Sequence, residues 1–350
     1  MAGGSWDKNS LPVRPGLYAN FVSSASAQIS GGERGTVAIP LKAFNGGTAS
    51  AKTFYTVTNE TDAGVLFGTA NIQSIKFALQ GGAKEVLVYT MPTSPATQDY
   101  VDMRLAFDTR PFNVFVYDGI VASVEQDNTL VWVKANKDEG KHFTAVFGCV
   151  LAADDNDPAV GDARSIRLAD DYSVNLIEGV VIGGVSYNSA QYASYIAGLI
   201  AGTPINQSIT YLVVPADDVT KRLTNTQIKT SLSNGSLVLT NDGEKVKVEQ
   251  GLTASVKKIR TTRARQAVLT DVAKTANDNY IGRLDNNADG QAALISAVKV
   301  YLETLEQANV LTDISVGIDP QFQSVGDSVF LAIAFTEIDS MERIFLTINI

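Results

Sequence analysis

Hydrophobic residues in the middle of the chain recur as short continuous runs, which are typical of buried strands. The runs begin at Val86, Val114, Ala145, Val180 and Tyr211. Their starts lie about 30 residues apart, the spacing of strands that are each separated by one helix. The runs are continuous rather than alternating, as expected for strands covered by helices on both faces. The pattern predicts an α/β fold with a mostly parallel sheet flanked by helices, including helices near 98–107 and 191–200.

Both ends of the chain show the two-residue alternation of β-strands. The C-terminal set on one face is Ile344, Leu346, Ile348 and Ile350. The N-terminal set, in a segment where two prolines favour extended chain, is Leu11, Val13, Leu17 and Phe21. An unpaired apolar strand edge promotes aggregation. Each end is therefore expected to lie inside its own sheet or to be donated to another molecule.

The region before the C-terminal strand predicts a hairpin and two helices. Strand-like runs flank Asp242-Gly243, a dipeptide that favours a tight turn, so a hairpin is predicted at 236–249. Two helical faces follow. The first comprises Leu269, Val272, Ala273, Ala276 and Tyr280. The second comprises Leu294, Val298, Tyr301, Leu305 and Ala308.

These patterns divide the chain into four parts. They are an N-terminal arm at 1–30, an α/β region at 31–255 that includes the hairpin, a C-terminal α+β domain at 256–338, and a C-terminal strand arm at 339–350. A Ser/Ala/Gly stretch at 23–32 is a candidate hinge for the first arm, and 337–342 for the second.

Composition narrows the function classes. The net charge is −9, which argues against general affinity for nucleic acid or an anionic membrane. Cys149 is the only cysteine, so the fold has no internal disulfide and does not depend on an oxidising compartment. No apolar run approaches the roughly 18 residues that cross a bilayer. The polar first residues resemble no secretion signal, and a reducing cytoplasm is the expected compartment.

Catalytic and metal-binding patterns are weak. His142 is the only histidine, so any Ser-His-Asp triad depends on it, and a loop-packing role is favoured. Residues 285–290 match the first half of a calcium loop, but Ser296 occupies the position that requires a bidentate glutamate. We therefore prefer a helix-capping role for them. No catalytic residue, metal or cofactor is predicted. The alternative left open is an α/β enzyme that binds a small ligand at the carboxyl ends of its strands.

A cluster of basic residues stands out in this acidic chain, because no Asp or Glu occurs between Gln250 and Thr270. Its members are Lys257, Lys258, Arg260, Arg263 and Arg265. They are either the solvated start of a helix or a docking surface for an acidic partner. Lys257, Lys258 and Arg260 are the candidate contacts.

Four segments together resemble the tail sheath proteins of contractile phages and R-type bacteriocins, in the compact form found in Gram-positive phages and phage-derived particles. The segments are Leu11-Pro12-x-Arg14-Pro15-Gly16-x-Tyr18, Gly35-Thr36-Val37-Ala38-Ile39-Pro40, Tyr280-Ile281-Gly282-x-Leu284-x-Asn286 and Asp339-Ser340-Met341-Glu342-Arg343-Ile344.

The resemblance implies a structural protein of a virion or phage tail-like particle that is assembled in the host bacterial cytoplasm. Copies would stack as hexameric rings around a tail tube, and each arm would add a strand to a neighbour's C-terminal domain. The implied partners are further copies, the tube, the baseplate and the tail terminator, without nucleic acid, membrane insertion or a cofactor. The basic cluster would hold an acidic tube. Another structural protein of the same particle is the remaining alternative.

Overall fold

A computed structural model of the protein describes residues 34–349, together with the backbone of residues 3–4 and 17–18. These last two pairs form short strands, β1 (Gly3–Gly4) and β2 (Leu17–Tyr18), which pair in parallel. The remaining strands are β3 (Thr36–Leu41), β4 (Phe54–Val57), β5 (Glu85–Thr90), β6 (Val114–Val116), β7 (Thr144–Phe147), β8 (Ser173–Leu176), β9 (Val180–Ile182), β10 (Val185–Tyr187), β11 (Val213–Val214), β12 (Asp218–Val219), β13 (Ser236–Leu237), β14 (Leu239–Asn241), β15 (Val246–Val248), β16 (Leu311–Ile318) and β17 (Leu331–Glu337).

Helices alternate with most of these strands. They are α1 (Glu60–Phe67), α2 (Gln73–Gln80), α3 (Thr97–Asp108), α4 (Ser123–Asp138), α5 (Pro158–Arg167), α6 (Ser189–Gly202), α7 (Asn225–Ser233), α8 (Ile259–Thr275) and α9 (Ala288–Gln307). A π-helical turn, Ala276–Tyr280, follows α8 directly. The helices predicted near 98–107 and 191–200 are confirmed as α3 and α6.

The largest sheet has seven strands in the order β13-β8-β7-β6-β3-β5-β4. All neighbours are parallel except β4, which runs antiparallel to β5. One face buries Val37 and Val86 against α2 and α6, and the other buries Phe115 against Phe107 of α3 and Trp132 of α4. The prediction of a mostly parallel sheet flanked by helices is thus confirmed.

Two of the predicted core strands belong elsewhere. The run at Val180 forms β9, which pairs antiparallel with β10 and β12, and the run at Tyr211 contributes β11, which pairs antiparallel with β15. Their places in the large sheet are taken by β8 and β13. Both strands are buried although they carry polar side chains, because these side chains find partners. Arg164 Nε donates to Asn175 Oδ1 at 2.6 Å.

A hairpin joins β14 to β15, with Asn241 opposite Val246. Its turn is held by Asp242, whose Oδ1 accepts from the main-chain N–H groups of Glu244 and Lys245. Gly243 has a φ of 103°, a conformation that favours glycine.

Helices α8 and α9 and the strands β16 and β17 enclose a separate apolar cluster. Val298, Tyr301 and Leu305 of α9 are buried there, as the sequence predicted. The face predicted for α8 is wrong at Leu269, which is 49% exposed, and at Ala273, which is also exposed. The buried side of α8 instead carries Ala264 and Val268 among polar residues. Hydrogen bonds made by Arg260, Arg263 and Gln266 allow these side chains to face the interior.

Candidate assembly site

The antiparallel pair β16–β17 forms a two-stranded sheet. One face of the pair packs on α9 through Ile314, Val316, Ile333 and Phe335. Within residues 34–349, no further strand pairs with the outer edge of either strand. Because a two-stranded sheet is marginally stable by itself, this sheet gains stability from any strand added at an edge.

Main-chain hydrogen bonds fix which groups of β17 face outward. The Ile338 N–H donates to the Val310 carbonyl at 3.0 Å, and the Asp319 N–H donates to the Phe330 carbonyl at 2.9 Å. In an antiparallel ladder, alternate residues point toward the partner strand. The main-chain groups directed away from β16 therefore belong to Leu331, Ile333, Phe335 and Glu337. A strand of seven residues would cover this edge.

The chain after β17 provides such a segment. Residues 339–349 contain no helix, turn or paired strand. The exposed fractions are 70% for Ile344, 82% for Leu346 and 79% for Ile348, and that of Phe345 on the opposite side is 89%. Ile350 lies outside the described residues. The predicted strand thus has no partner within the described part of its own subunit, and its donation to a neighbour stays a prediction.

The N-terminal residues of the predicted site fall mostly outside the described structure. This applies to Leu11, Val13 and Phe21, whereas the backbone of Leu17 is part of β2. Their role in contacts between subunits stays a prediction.

The structure separates the members of the basic cluster. Lys257 is exposed, Lys258 is partly buried, and Arg260 is 8% exposed. Arg260 donates to the Asn309 carbonyl at 3.0 Å, and Arg263 donates to the Thr203 carbonyl. Burial lowers the pKa of Arg263 to about 10. Of the three candidate tube contacts, Lys257 is the one that faces solvent.

Acidic partners from the C-terminal part of the chain hold two more of these cations. Lys258 pairs with Glu342, and Arg265 pairs with Glu337. Burial lowers the pKa of the Lys258 amine. These contacts could not be predicted from local spacing, because the partners are separated by more than 70 residues. The sequence offered only an indirect signal. It has a basic stretch without acidic residues between Gln250 and Thr270, and acidic residues such as Glu342 occur near the C-terminus.

Other residues considered for chemistry have structural contacts. His142 lies 3.1 Å from the Tyr172 hydroxyl through Nδ1, and burial lowers its pKa. Cys149 is fully buried, and burial raises the pKa of its thiol. Asn287 caps α9 by accepting from the Gly290 N–H at 2.9 Å. Among residues 34–349, no group of three or more His, Cys, Asp or Glu side chains is arranged to hold a metal ion.

The point where ligands usually bind in α/β sheets is filled. The strand order reverses between β3 and β6, whose carboxyl ends are followed by Lys42 and Asp118. The Lys42 N–H donates to Asp118 Oδ2 at 3.2 Å, and its Nζ donates to the Ile120 carbonyl at 2.9 Å. The adjoining cavity measures about 10 Å³, roughly the room of one water molecule.

None of the helices in the described residues is long and apolar enough to span a membrane.

Two consecutive family models match most of the chain. The phage tail sheath protein central domain matches residues 94–254, and the phage tail sheath C-terminal domain matches residues 253–350. Together they define a phage tail structural protein. The chain belongs to the phage tail sheath family, as the sequence resemblance predicted.

Individual relatives agree with this assignment. The tail sheath protein of Clostridium phage phiCD119 is 21% identical over 328 residues, which cover 88% of this chain and 85% of that protein. The sheath tail protein of Desulfitobacterium hafniense has 19% identity and a TM-score of 0.71, with 92% of this chain and 100% of that chain covered. The contracted helical sheath of the anti-feeding prophage has 14% identity and a TM-score of 0.73, with 97% and 99% covered. The two structures share the fold of this protein.

Proposed function

We propose that this protein is the structural subunit of a contractile tail sheath, in which copies stack as hexameric rings around a tail tube. Membership of the sheath family supports the class of function. The observation that carries the assembly mechanism is that residues 34–349 contain both a two-stranded sheet to which no third strand is paired and an apolar segment without a strand partner. Each subunit offers an acceptor at β16–β17 and a donor at residues 344–350.

The donated segment adds a strand to the small sheet of a neighbour. Main-chain hydrogen bonds supply affinity in such β-augmentation, and alternate side chains add specificity. The N-terminal arm, with Leu11, Val13, Leu17 and Phe21, is proposed to link to a neighbour in the same way. In this proposal the subunit consists of an N-terminal arm at 1–30, an α/β region at 31–255, a C-terminal domain at 256–338 and a C-terminal arm at 339–350.

For a single C-terminal arm, the free energy gained by burying its apolar side chains nearly equals the entropic cost of ordering its backbone. Burying Ile344, Leu346, Ile348 and Ile350 contributes about 6–12 kcal/mol, at about 1.5–3 kcal/mol for each side chain. Ordering about eight residues costs about 8–16 kcal/mol of backbone entropy. The two terms nearly cancel, so the ladder hydrogen bonds and the repetition of contacts along a polymer determine whether the arm is ordered.

Contraction follows if the strand links persist while the subunit bodies tilt and repack. The sheath then shortens and widens and drives the tube through the target cell envelope. The energy is stored during assembly in a metastable extended state, so this mechanism uses no cofactor or nucleotide.

The further partners belong to the same proposal. Lys257 is proposed to contact an acidic tail tube, while the baseplate and the tail terminator bound the polymer at its two ends. Assembly takes place in the cytoplasm of the host bacterium, and the product is a virion or a phage tail-like particle.

Electron microscopy of the purified protein tests this function. We expect hollow cylinders or rings from the complete chain, and dispersed particles from a variant that ends at Arg343. Circular dichroism controls for the fold of the shortened chain. Dispersed monomers of the complete chain at all concentrations, or cylinders formed equally well by the shortened chain, would contradict the proposal.

A further inference from the structure

The residues that join the two arms to the rest of the subunit, Arg34 and Glu342, are called the arm roots. Each arm root contacts α8 or the residue directly before it, and the two contacts lie near opposite ends of the helix. Lys258 is the residue immediately before α8, and Asp271 lies in its last turns. They are thirteen positions apart in the sequence, which corresponds to about 20 Å along the helix axis. Both contacts pair residues that are distant in sequence.

The root of the C-terminal arm is held at Glu342, whose side chain is 8% exposed. Its Oε1 accepts from the Thr210 hydroxyl at 2.8 Å and from the Ser340 hydroxyl at 3.1 Å. Its Oε2 accepts from Gln250 Nε2 at 2.7 Å and pairs with Lys258. Two residues further on, the side chain of Ile344 is 70% exposed. The C-terminal segment is therefore bound to the body of the subunit up to Glu342, and it is exposed to solvent from Ile344 onward.

The candidate hinge at 337–342 is therefore held at both of its ends. Glu337 is part of β17 and pairs with Arg265 of α8. Glu342 is held as described above. The first position where the C-terminal arm can change direction freely lies beyond Glu342.

The root of the N-terminal arm is held at Arg34, the first residue of the continuously described chain. Its guanidinium donates to Asp271 Oδ2 at 2.5 Å. Asp271 is 1% exposed, and the Tyr301 hydroxyl of α9 donates to the same oxygen. An anion this deeply buried requires such partners, because removing a charge from water is costly.

Helix α8 is itself fixed on both sides. Toward the large sheet, Gln266 Nε2 donates to the Thr144 hydroxyl of β7 at 3.2 Å. On the other side, Ala264 and Val268 belong to the same buried apolar cluster as Leu305 of α9. A displacement of α8 therefore carries both arm roots with it.

We propose that α8 fixes the two positions at which the N-terminal and C-terminal arms leave the body of the subunit, with Arg34 and Glu342 as the positioning residues. We call this arrangement the α8 bracket. This inference rests on the proposed sheath function for its biological meaning. In the sheath, the strand links of one subunit would then be repositioned together rather than independently when its body tilts. The bracket itself is a property of the single subunit.

Double electron–electron resonance on dilute, unassembled protein tests the bracket. Spin labels are placed at Lys274→Cys on α8 and either at Leu346→Cys in the C-terminal arm or at Ser24→Cys in the N-terminal arm. The native Cys149 is fully buried and does not compete for the label. We expect Glu342→Gln and Lys258→Met to broaden the distance distribution to residue 346 and leave that to residue 24 unchanged. Arg34→Met should have the reverse effect.

Two comparisons make the test specific. Glu306→Gln, an exposed acid on α9, should change neither distribution. The charge exchange Lys258→Glu with Glu342→Lys should recover part of the narrow distribution, which a general loss of packing would not allow.

Unchanged distributions in all the single variants would overturn the bracket. Broadening of both distributions by every variant would overturn it too, because that result indicates general loosening. Neither result depends on polymer formation. Failure of the complete chain to form cylinders would instead count against the sheath function.

Discussion

At the scale of single residues, Glu178 is an unusual feature of the interior. The residue is 1% exposed; Oε1 accepts from the Leu239 N–H at 2.6 Å, while the second oxygen has no hydrogen-bond partner among the described residues. Burial raises the pKa of this carboxyl well above its ordinary value, and the nearby Asp155 and Asp162 act in the same direction. The folded protein therefore favours the neutral, protonated form.

This raised pKa predicts a pH-dependent loss of stability. Above the unfolded pKa of about 4.3, the unfolded chain releases a proton that the folded chain retains, so the free energy of unfolding falls as the pH rises toward the folded pKa. Glu178→Gln removes this titration. As the pH rises from about 5 toward the raised folded pKa, the variant should lose less stability than the original protein, by up to about 1.4 kcal/mol per pH unit.

Urea denaturation at a series of pH values measures this difference. The matched control is Glu306→Gln, which removes an exposed carboxyl from α9. Equal pH slopes for Glu178→Gln and the original protein would contradict the assignment of a proton to Glu178.

At the scale of elements, α2 and α6 pack with their main chains in direct contact. A Cβ added at Gly198 would lie 2.0 Å from the Ala78 carbonyl oxygen, and one at Gly202 would lie 2.0 Å from the Gly82 carbonyl oxygen. These neighbours are backbone atoms and cannot rotate away. The glycines thus determine how closely α6 approaches α2 and the large sheet.

Gly198→Ala should therefore separate the two helices and lower the free energy of unfolding by about 1–3 kcal/mol, as overpacking of a core does. Thermal and urea denaturation measure the change. Gly317→Ala is the control, because its added Cβ would meet no atom of the described chain within 4 Å, apart from its own residue and its two chain neighbours. Similar stabilities for the two variants would show that the helix contact tolerates expansion.

The C-terminal arm is the element whose state should depend on assembly. In dilute subunits, the amides of 344–349 should exchange with solvent almost without protection, since their side chains are exposed and no strand of the described chain pairs with them. In the polymer, the same amides should become protected as they enter a ladder. Hydrogen exchange by mass spectrometry compares the two states. Strong protection in dilute subunits would contradict the donated strand.

At the scale of the whole molecule, one exposed cation offers a clean test of tube attachment. Lys257→Glu reverses a charge that faces solvent, whereas the same change at Lys258 would also disturb Glu342. We expect Lys257→Glu to reduce co-sedimentation of the sheath with purified tail tubes, and the reduction to be greatest at low salt. Lys245→Glu, an exposed lysine in the hairpin turn, is the control. Equal attachment of both variants would count against this contact.

The sequence predicts the parts of this molecule that depend on local periodicity. The strands β5, β6 and β7 and the buried face of α9 follow from apolar spacing. Apolar spacing does not predict strand β8, because this strand buries the polar side chain of Asn175. That side chain accepts a hydrogen bond from Arg164 of α5, which only the tertiary fold brings close. Runs of apolar residues at Val180 and Tyr211 do not distinguish a central parallel strand from a strand of a small antiparallel sheet.

The candidate assembly site also has one part that the sequence predicts and one part that it does not. Alternation predicts a C-terminal strand, and the structure leaves it without a partner in the described chain. The contacts of Lys258 with Glu342 and of Arg34 with Asp271 depend on residues that only the tertiary fold brings together. The domain boundaries predicted at 30, 255 and 338 stay predictions.

If the C-terminal segment adds to the edge of β17 in the next copy, as we propose, the contact has a consequence for the size of the product. A contact in which one surface gives and a different surface receives is heterologous, and along a helical stack it never returns to its starting point. Every added copy therefore creates the same vacancy that it filled. Under this proposal the contact itself sets no number of layers, so the length of the polymer would be set by another component.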